Sequence, residues 1–283
     1  MLRIVVAVLV VWLLPGLLFE RPVSAGEVVT GETRDWAAKA IARERALDAE
    51  DSRNRLAVLY FHNETGFPRL DLLQKGLTLM LITDLSKVPH IELVERIRLQ
   101  ALVEELEFGV SGLVAKEDFP QVGRLLGAGL LVGGKIVGSR NGAFQFQSDL
   151  LSVSDETVLG SPSAEGVLEA ELFRMEKDLL FQIIEFLRIT LTPKLREDLK
   201  EPFTPSLEAL LDFFRGVERA DEKAYDEASG FLEAALKKDL ALTQAVGAIR
   251  EIYKERNGGF EPATGPWRIR WDPEKPCPAA ERN

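Results

Sequence analysis

The hydrophobic period of this chain changes along its length, and that change restricts the fold more than any other feature. Leu56-Ala57-Val58-Leu59-Tyr60-Phe61 is a short apolar run that ends at His62-Asn63-Glu64-Thr65-Gly66. That is the pattern of a buried strand entering a loop. Helical spacing follows, with Leu73, Leu77, Met80, Leu81 and Leu85 on one face until Val88-Pro89 stops it. Ile91-Glu92-Leu93-Val94 reads as a brief strand. Leu99, Leu102, Val103 and Leu106 give a second helix, and Phe119, Val122, Leu125 and Leu126 a shorter one that Gly127 can close in a left-handed conformation. Leu130 to Val137 is then a continuous apolar strand, Asn141-Gly142 is a hairpin signal, and Phe144, Phe146, Ser148 and Leu150 alternate with Gln145, Gln147 and Asp149. Val158-Leu159 with Val167-Leu168 predict one further strand, and Leu172, Met175, Leu179, Ile183 and Phe186 a long helix to about Leu191. This order predicts a mixed α/β sheet covered by helices.

The rest of the chain is organised around that block. Arg3, the apolar run Ile4 to Phe19 and the small residues Val23-Ser24-Ala25 have the layout of a secretory signal peptide, residues 1–25. A retained anchor is disfavoured, because Pro15-Gly16 interrupts a run already shorter than the roughly 20 residues a spanning helix needs. Residues 26–52 form a polar extension, expected to be helical from Asp35 to Asp51 with Trp36, Ala40 and Leu47 on one side. Residues 53–192 are the α/β domain, and 193–205, with Pro193, Pro202 and Pro205, a linker. Residues 206–257 hold three helical segments, Ser206–Arg219, Ala224–Lys237 and Leu240–Arg256. The tail from 258 to 283 is rich in Pro and Gly.

Charge and cysteine usage narrow the function. Net charge is −10, and removing Arg3, Glu20 and Arg21 with the leader leaves about −11 by formal count. Such a surface repels phosphate backbones, so nucleic-acid partners are not expected. The one cysteine, Cys277, lies in the tail, which excludes an internal disulfide, and none lies near Ala25 to carry a lipid anchor. No later segment is apolar for long enough to span a bilayer as a helix.

Several pieces resemble the curli-secretion CsgG-type family, with its flagellar FlgO-type and TolB amino-terminal-domain relatives. They are Leu56 to Phe61, Asn63-Glu64-Thr65-Gly66, Gly76-Leu77 leading to Leu81-Ile82-Thr83-Asp84-Leu85, Val94-Glu95-Arg96-Ile97-Arg98-Leu99, Ser111-Gly112-Leu113-Val114 and Gly123 to Ile136. The resemblance covers roughly residues 53–190. It implies a bacterial envelope domain that assembles or binds partners without catalysis of its own. The chain departs from the many lipoprotein members by lacking the acylated cysteine. Channel-forming members carry membrane hairpins, and only Gly142 to Val153 approaches that pattern here.

The helical segments 206–257 resemble a single tetratricopeptide pair, with Gly216 at the close approach and Tyr225, Ala228, Leu232 and Ala235 as packing knobs. Arg215, Lys223 and Leu240 depart from the usual Leu, Gly and Pro. One repeat cannot bury its own apolar face, so it must pack on the last helix, on the first domain or on another chain. Phe213, Phe214, Tyr225 and Phe231 are the candidate partner-binding residues.

Catalytic patterns are weak. Gly129 to Lys135 satisfies G-x4-G-K, but Ile136 replaces the metal-binding hydroxyl and the intervening residues read as strand. His62 and His90 are the only histidines, and neither has a second ligand at metal spacing. Glu104-Glu105 and Asp221-Glu222 read as solvated faces and turns, and Asn63-Glu64-Thr65 as a loop-forming segment. No catalytic, cofactor or metal residues are expected. The expectation is a periplasmic, non-enzymatic protein that binds envelope proteins, or itself, in assembly or secretion, with outer-membrane association open to it without a lipid anchor or a transmembrane helix. A secretion-channel subunit and an activator of an envelope enzyme are the alternatives.

Overall fold

A computed structural model describes residues 27–43, 54–108, 113–138 and 143–257, apart from the side chains of Leu168 and Glu169. The leader, Leu47, Ser111-Gly112, the Asn141-Gly142 turn and the tail with Cys277 lie outside the described residues. Helix α1 (Gly31–Ala42) precedes strands β1 (Arg55–Val58) and β2 (His62–Asn63). Then come α2 (Leu72–Leu85), β3 (Glu92–Leu93), α3 (Arg96–Glu105) and α4 (Phe119–Leu126). Strands β4 (Leu130–Gly138), β5 (Phe144–Ser152), β6 (Thr157–Gly160) and β7 (Ser163–Gly166) follow. The chain continues through α5 (Leu168–Phe186), α6 (Pro193–Asp198), α7 (Leu207–Asp221), α8 (Tyr225–Lys238) and α9 (Thr243–Arg256).

The sheet runs β3–β1–β4–β5–β6, with β2 also beside β4 and β7 also beside β5. β1 is parallel to β3 and β4, whereas β5 is antiparallel to β4 from Leu130↔Ser152 to Gly138↔Phe144. It is the expected mixed α/β sheet. The apolar run of β1 is continuous because both faces are covered: Leu56 and Val58 join one core, Ala57 and Leu59 the other. The first core contains Leu77 and Leu81 of α2 and Leu179 and Ile183 of α5. The second contains Leu99 and Leu102 of α3 and Val122 and Leu125 of α4. Gly127 closes α4 at φ +64°, as expected.

Helix α2 explains why the first strand is cut in two. Leu59 N–H still donates to Val132 O at 2.7 Å, but Thr78 Oγ1 donates to Leu59 O at 2.7 Å. Phe61 N–H in turn donates to Gln74 O at 3.1 Å. The helix thus takes backbone groups that a continuous ladder would use. Past this point Asn63 Oδ1 accepts from Thr65 N–H at 3.1 Å, the local bonding expected of the loop.

Two element boundaries differ from expectation. The strand after β6 is Ser163–Gly166, not Val167-Leu168, and Val167 stands at the start of α5. Its polar sequence gives no alternation signal; Gln182 of α5 holds it by accepting from Ser163 N–H at 3.1 Å and donating to Ser163 O at 2.7 Å. Helix α1 starts four residues earlier than Asp35, where Thr30 caps it and Ala37 is its buried residue.

The apolar face of β5, Phe146 and Leu150, is fully buried in the first core, so the segment resembling a barrel strand is spent on the protein's own interior. The helices α7–α9 share that same core. A Cβ on Gly216 would lie 2.6 Å from Leu232 Cγ, which is the close α7–α8 approach expected of that glycine. A Cβ on Gly76 would lie 2.3 Å from the Phe214 ring, so α2 and α7 also meet at a bare backbone. The proline-rich segment 193–205 carries α6, and its Leu199 and Thr204 are buried.

Candidate functional site

Helices α3 and α4 cover only one end of their sheet face, and the uncovered end forms a cleft of 570 Å³. That volume is in the range of small-molecule and peptide-side-chain sites. Its floor is Gly133 and Lys135 of β4 with Gln145, Gln147 and Asp149 of β5, the polar alternates of the strand whose other face is core. Its walls are His62, Phe119, Lys116 and the Ser161-Pro162-Ser163 link. The Phe119 ring lies against Gly133, where a Cβ would approach to 2.5 Å. His62 Nε2 donates to Val114 O at 2.8 Å.

The charges of the cleft are paired. Lys135 Nζ is 2.8 Å from Glu64 Oε2, and Lys116 bonds Asp149. Partial burial pushes the Asp149 carboxyl up, but hydrogen bonds from Lys116 and Ser161 outweigh it and hold the group below the usual carboxylate range. The remaining chemistry is neutral: the Gln145–Gln147 amide pair, joined at 2.8 Å, and the Ser163 hydroxyl, with Ser161 donating to Asp149 at 2.8 Å. Gly133, Gly134 and Lys135 lie in the β4–β5 ladder, so the G-x4-G-K pattern is not a loop of free amides before a helix. Among the described residues no cluster of three His, Cys, Asp or Glu is placed to hold a metal, and no helix is long and apolar enough to cross a membrane.

A second polar assembly lies entirely inside. Arg96 of α3 is fully buried and grips Asp221 at the end of α7 with two bonds of 3.0 and 3.1 Å. Its guanidinium also donates to Tyr60 Oη at 3.0 Å and to the Glu27 carbonyl. Lys75 of α2 reaches the same Asp221 at 2.8 Å, and Tyr60 Oη donates to Gln100 at 2.8 Å. Burial alone would lower the Arg96 pKa, but Asp221 more than reverses that and holds the charge in place. Tyr60 is pushed upward mainly by burial. Glu251 of α9 accepts from Glu27 N–H and Val28 N–H at 2.7 and 2.8 Å. The amino-terminal segment, the α/β layer and the carboxy-terminal helices meet at this one clasp.

Sequence reasoning missed this clasp. Asp221-Glu222 was expected to be a solvated turn, yet the Asp221 side chain is only 1% exposed while Glu222 is open. The residue types carried no signal, since a buried arginine and a surface arginine look alike in one sequence. Of the four expected partner-binding residues, Phe213 and Phe214 are interior, at 0% and 2% exposure. Phe203 packs on Phe213 with ring centroids 5.4 Å apart, and Phe214 sits on Gly76. Tyr225 and Phe231 are half-buried, and of the four only these two retain appreciable exposed surface.

Buried acidity recurs between α2 and α5. Glu176 is fully buried, and desolvation pushes its carboxyl up to about 8, with Asp84 adding to the rise. Lys177 Nζ stands 3.3 Å away but is engaged with Asp84. The folded-state pKa exceeds the unfolded value of 4.5, so the contribution of Glu176 is complete below 4.5 and lost as pH rises through about 8. Glu176→Gln should therefore flatten the fall of melting temperature between pH 5 and 8; an unchanged slope would refute the assignment.

Residues 39–141, just over a third of the chain, match the model of the family described as curli production assembly/transport component CsgG. The match runs from α1 to just past the end of β4 and overlaps the stretch whose motifs resemble that family. The fold is also similar to two solved structures of the LpoB C-terminal domain. The one from Salmonella enterica is 18% identical, over 47% of this chain and 94% of that one, with a TM-score of 0.34. The one from Escherichia coli is 19% identical, over 47% and 98%, also with a TM-score of 0.34. No curated protein matches the chain.

Proposed function

We propose that this is a non-catalytic protein of the bacterial envelope, exported by residues 1–25, that acts in assembly or secretion by binding another protein. The match of residues 39–141 to an assembly/transport family carries the reading. The cleft supports it: paired charges and a neutral amide–hydroxyl surface suit recognition of a neutral polar segment, with no displaced proton or nucleophile required. The helices α7–α9, read as a tetratricopeptide-like module, then serve to brace that layer, with Tyr225 and Phe231 as a lesser contact surface.

Cross-linking in intact cells followed by separation of periplasm and membranes tests this. The expected result is an envelope protein captured by the wild type and lost with Gln145→Lys and Gln147→Lys, at an unchanged melting temperature. Recovery of the chain from the cytosol, unpartnered and turning over a substrate, would overturn it. A transport role, which the family description also names, predicts extraction by detergent alone and membrane-inserted rings.

A further inference from the structure

The register of the sheet orders the floor of the cleft. His62 of β2 stands beside Lys135 of β4, Lys135 beside Gln147 of β5, and Gln147 beside Ser163 of β7. All four residues line the cleft, where they form one polar row across four strands. One step along β4, β5 and β7, Ile136, Phe146 and Ala164 make the matching apolar row on the opposite face, inside the first core. Neighbouring strands stand about 4.8 Å apart, so the polar row is about 14 Å long, the span of roughly four residues of extended chain.

Gln145 and Gln147 give that row its recognition chemistry. Gln147 Nε2 donates to Gln145 Oε1 at 2.8 Å. Whichever way the two amides are turned, this bond consumes one N–H and one carbonyl oxygen, and the pair still presents an NH2 group and a carbonyl oxygen. A peptide unit, with its own C=O and N–H, complements those two groups. Charge acts in the same sense. Lys135 is held by Glu64, and Asp149, two residues along β5 from Gln147, is held by Lys116 and Ser161. A charged partner residue would meet, in these two pairs, only carboxylates and ammoniums already engaged, and its desolvation would go uncompensated. The Phe119 ring is 6% exposed and packed on Gly133, so it offers a sugar ring no open aromatic face.

We propose that the Gln145–Gln147 pair reads a main-chain peptide group of an extended, uncharged segment of the partner protein, and that the Lys135–Glu64 and Lys116–Asp149 pairs exclude charged side chains beside it. The Ser163 hydroxyl extends the contact along the row. This deepens the protein-binding reading above and rests on it. Main-chain hydrogen bonds supply affinity with little dependence on side-chain sequence, and the charge filter supplies selectivity.

The test titrates isotope-labelled protein with the blocked peptide acetyl-Ala-Ser-Ala-Ser-Ala-amide and follows the side-chain NH2 resonances of Gln145 and Gln147 by NMR. Both should shift saturably. Methylating every peptide nitrogen of the probe, or placing Lys at its centre, should weaken binding by about tenfold or more. Gln145→Met with Gln147→Met should abolish binding of the neutral probe, followed by fluorescence of a labelled peptide, at an unchanged melting temperature. Lys135→Met leaves Glu64 without its ammonium, and should strengthen binding of the Lys-bearing probe severalfold while leaving the neutral probe unchanged. No saturable shift with the neutral probe, equal binding of its methylated form, or tighter binding of an N-acetylglucosamine oligosaccharide would overturn the proposal. Cross-linking in cells separates it from the reading it rests on. A partner captured equally by wild type and by the double Met variant overturns the amide reader and leaves the assembly role standing; a wild type that captures no partner overturns both.

Discussion

Asp221→Ala is expected to be among the most damaging single substitutions in this protein, costing about 3–5 kcal/mol of folding stability. The carboxylate is 1% exposed and is the bidentate partner of Arg96, which is itself fully buried. Removing it strands a guanidinium that cannot reach water, and loosens Lys75 and Tyr60 with it. Most of the cost is the desolvation of the orphaned charge, not the value of the pair. The double substitution Arg96→Met with Asp221→Leu should therefore recover most of the loss. Chemical denaturation of the two variants beside the wild type measures both effects. A single-variant cost below about 1 kcal/mol would show that Arg96 finds water or another acid.

Phe214→Ala should cost about 3–5 kcal/mol, the range for deleting a buried aromatic side chain. The ring is 2% exposed and covers Gly76, so its loss opens a cavity between the α/β layer and the carboxy-terminal helices. The complementary change, Gly76→Val, pushes a side chain into the same space and should destabilise by at least the 1–3 kcal/mol typical of overpacking. Both variants are read by thermal unfolding. If Phe214→Ala unfolded in two separate transitions with the first domain unaffected, the shared core would not be a cooperative unit.

These expectations rest on contacts that differ in how visible they were beforehand. The elements of the sheet were legible: an apolar run for β1, continuous hydrophobicity for β4 and alternation for β5 follow from which faces each strand buries. The helices of 207–256 were legible within a few residues, because their apolar spacing repeats at 3.6. Strand β7 was not, since three of its four residues are polar or glycine and its place is set by Gln182. The cleft was half legible. Gln145, Gln147 and Asp149 announced an exposed strand face, but which end of that face α4 would leave open depends on packing.

The aromatic pair Phe213-Phe214 shows the limit most clearly. Sequence spacing marked both as apolar surface in need of a partner, and that need was real. The partner turned out to be α2 of the same chain, at a glycine whose purpose is visible only with both helices in view. The sequence by itself determined most of the secondary structure, strand β7 and the break in the first strand apart, with the acidic balance and the surplus apolar face, because each depends on residues near in the chain. The tertiary structure alone decided where that face docks and which charges are buried. Burial energy depends on surfaces brought together from distant segments, and Glu27, Arg96, Asp221 and Glu251 become neighbours only once the chain has closed.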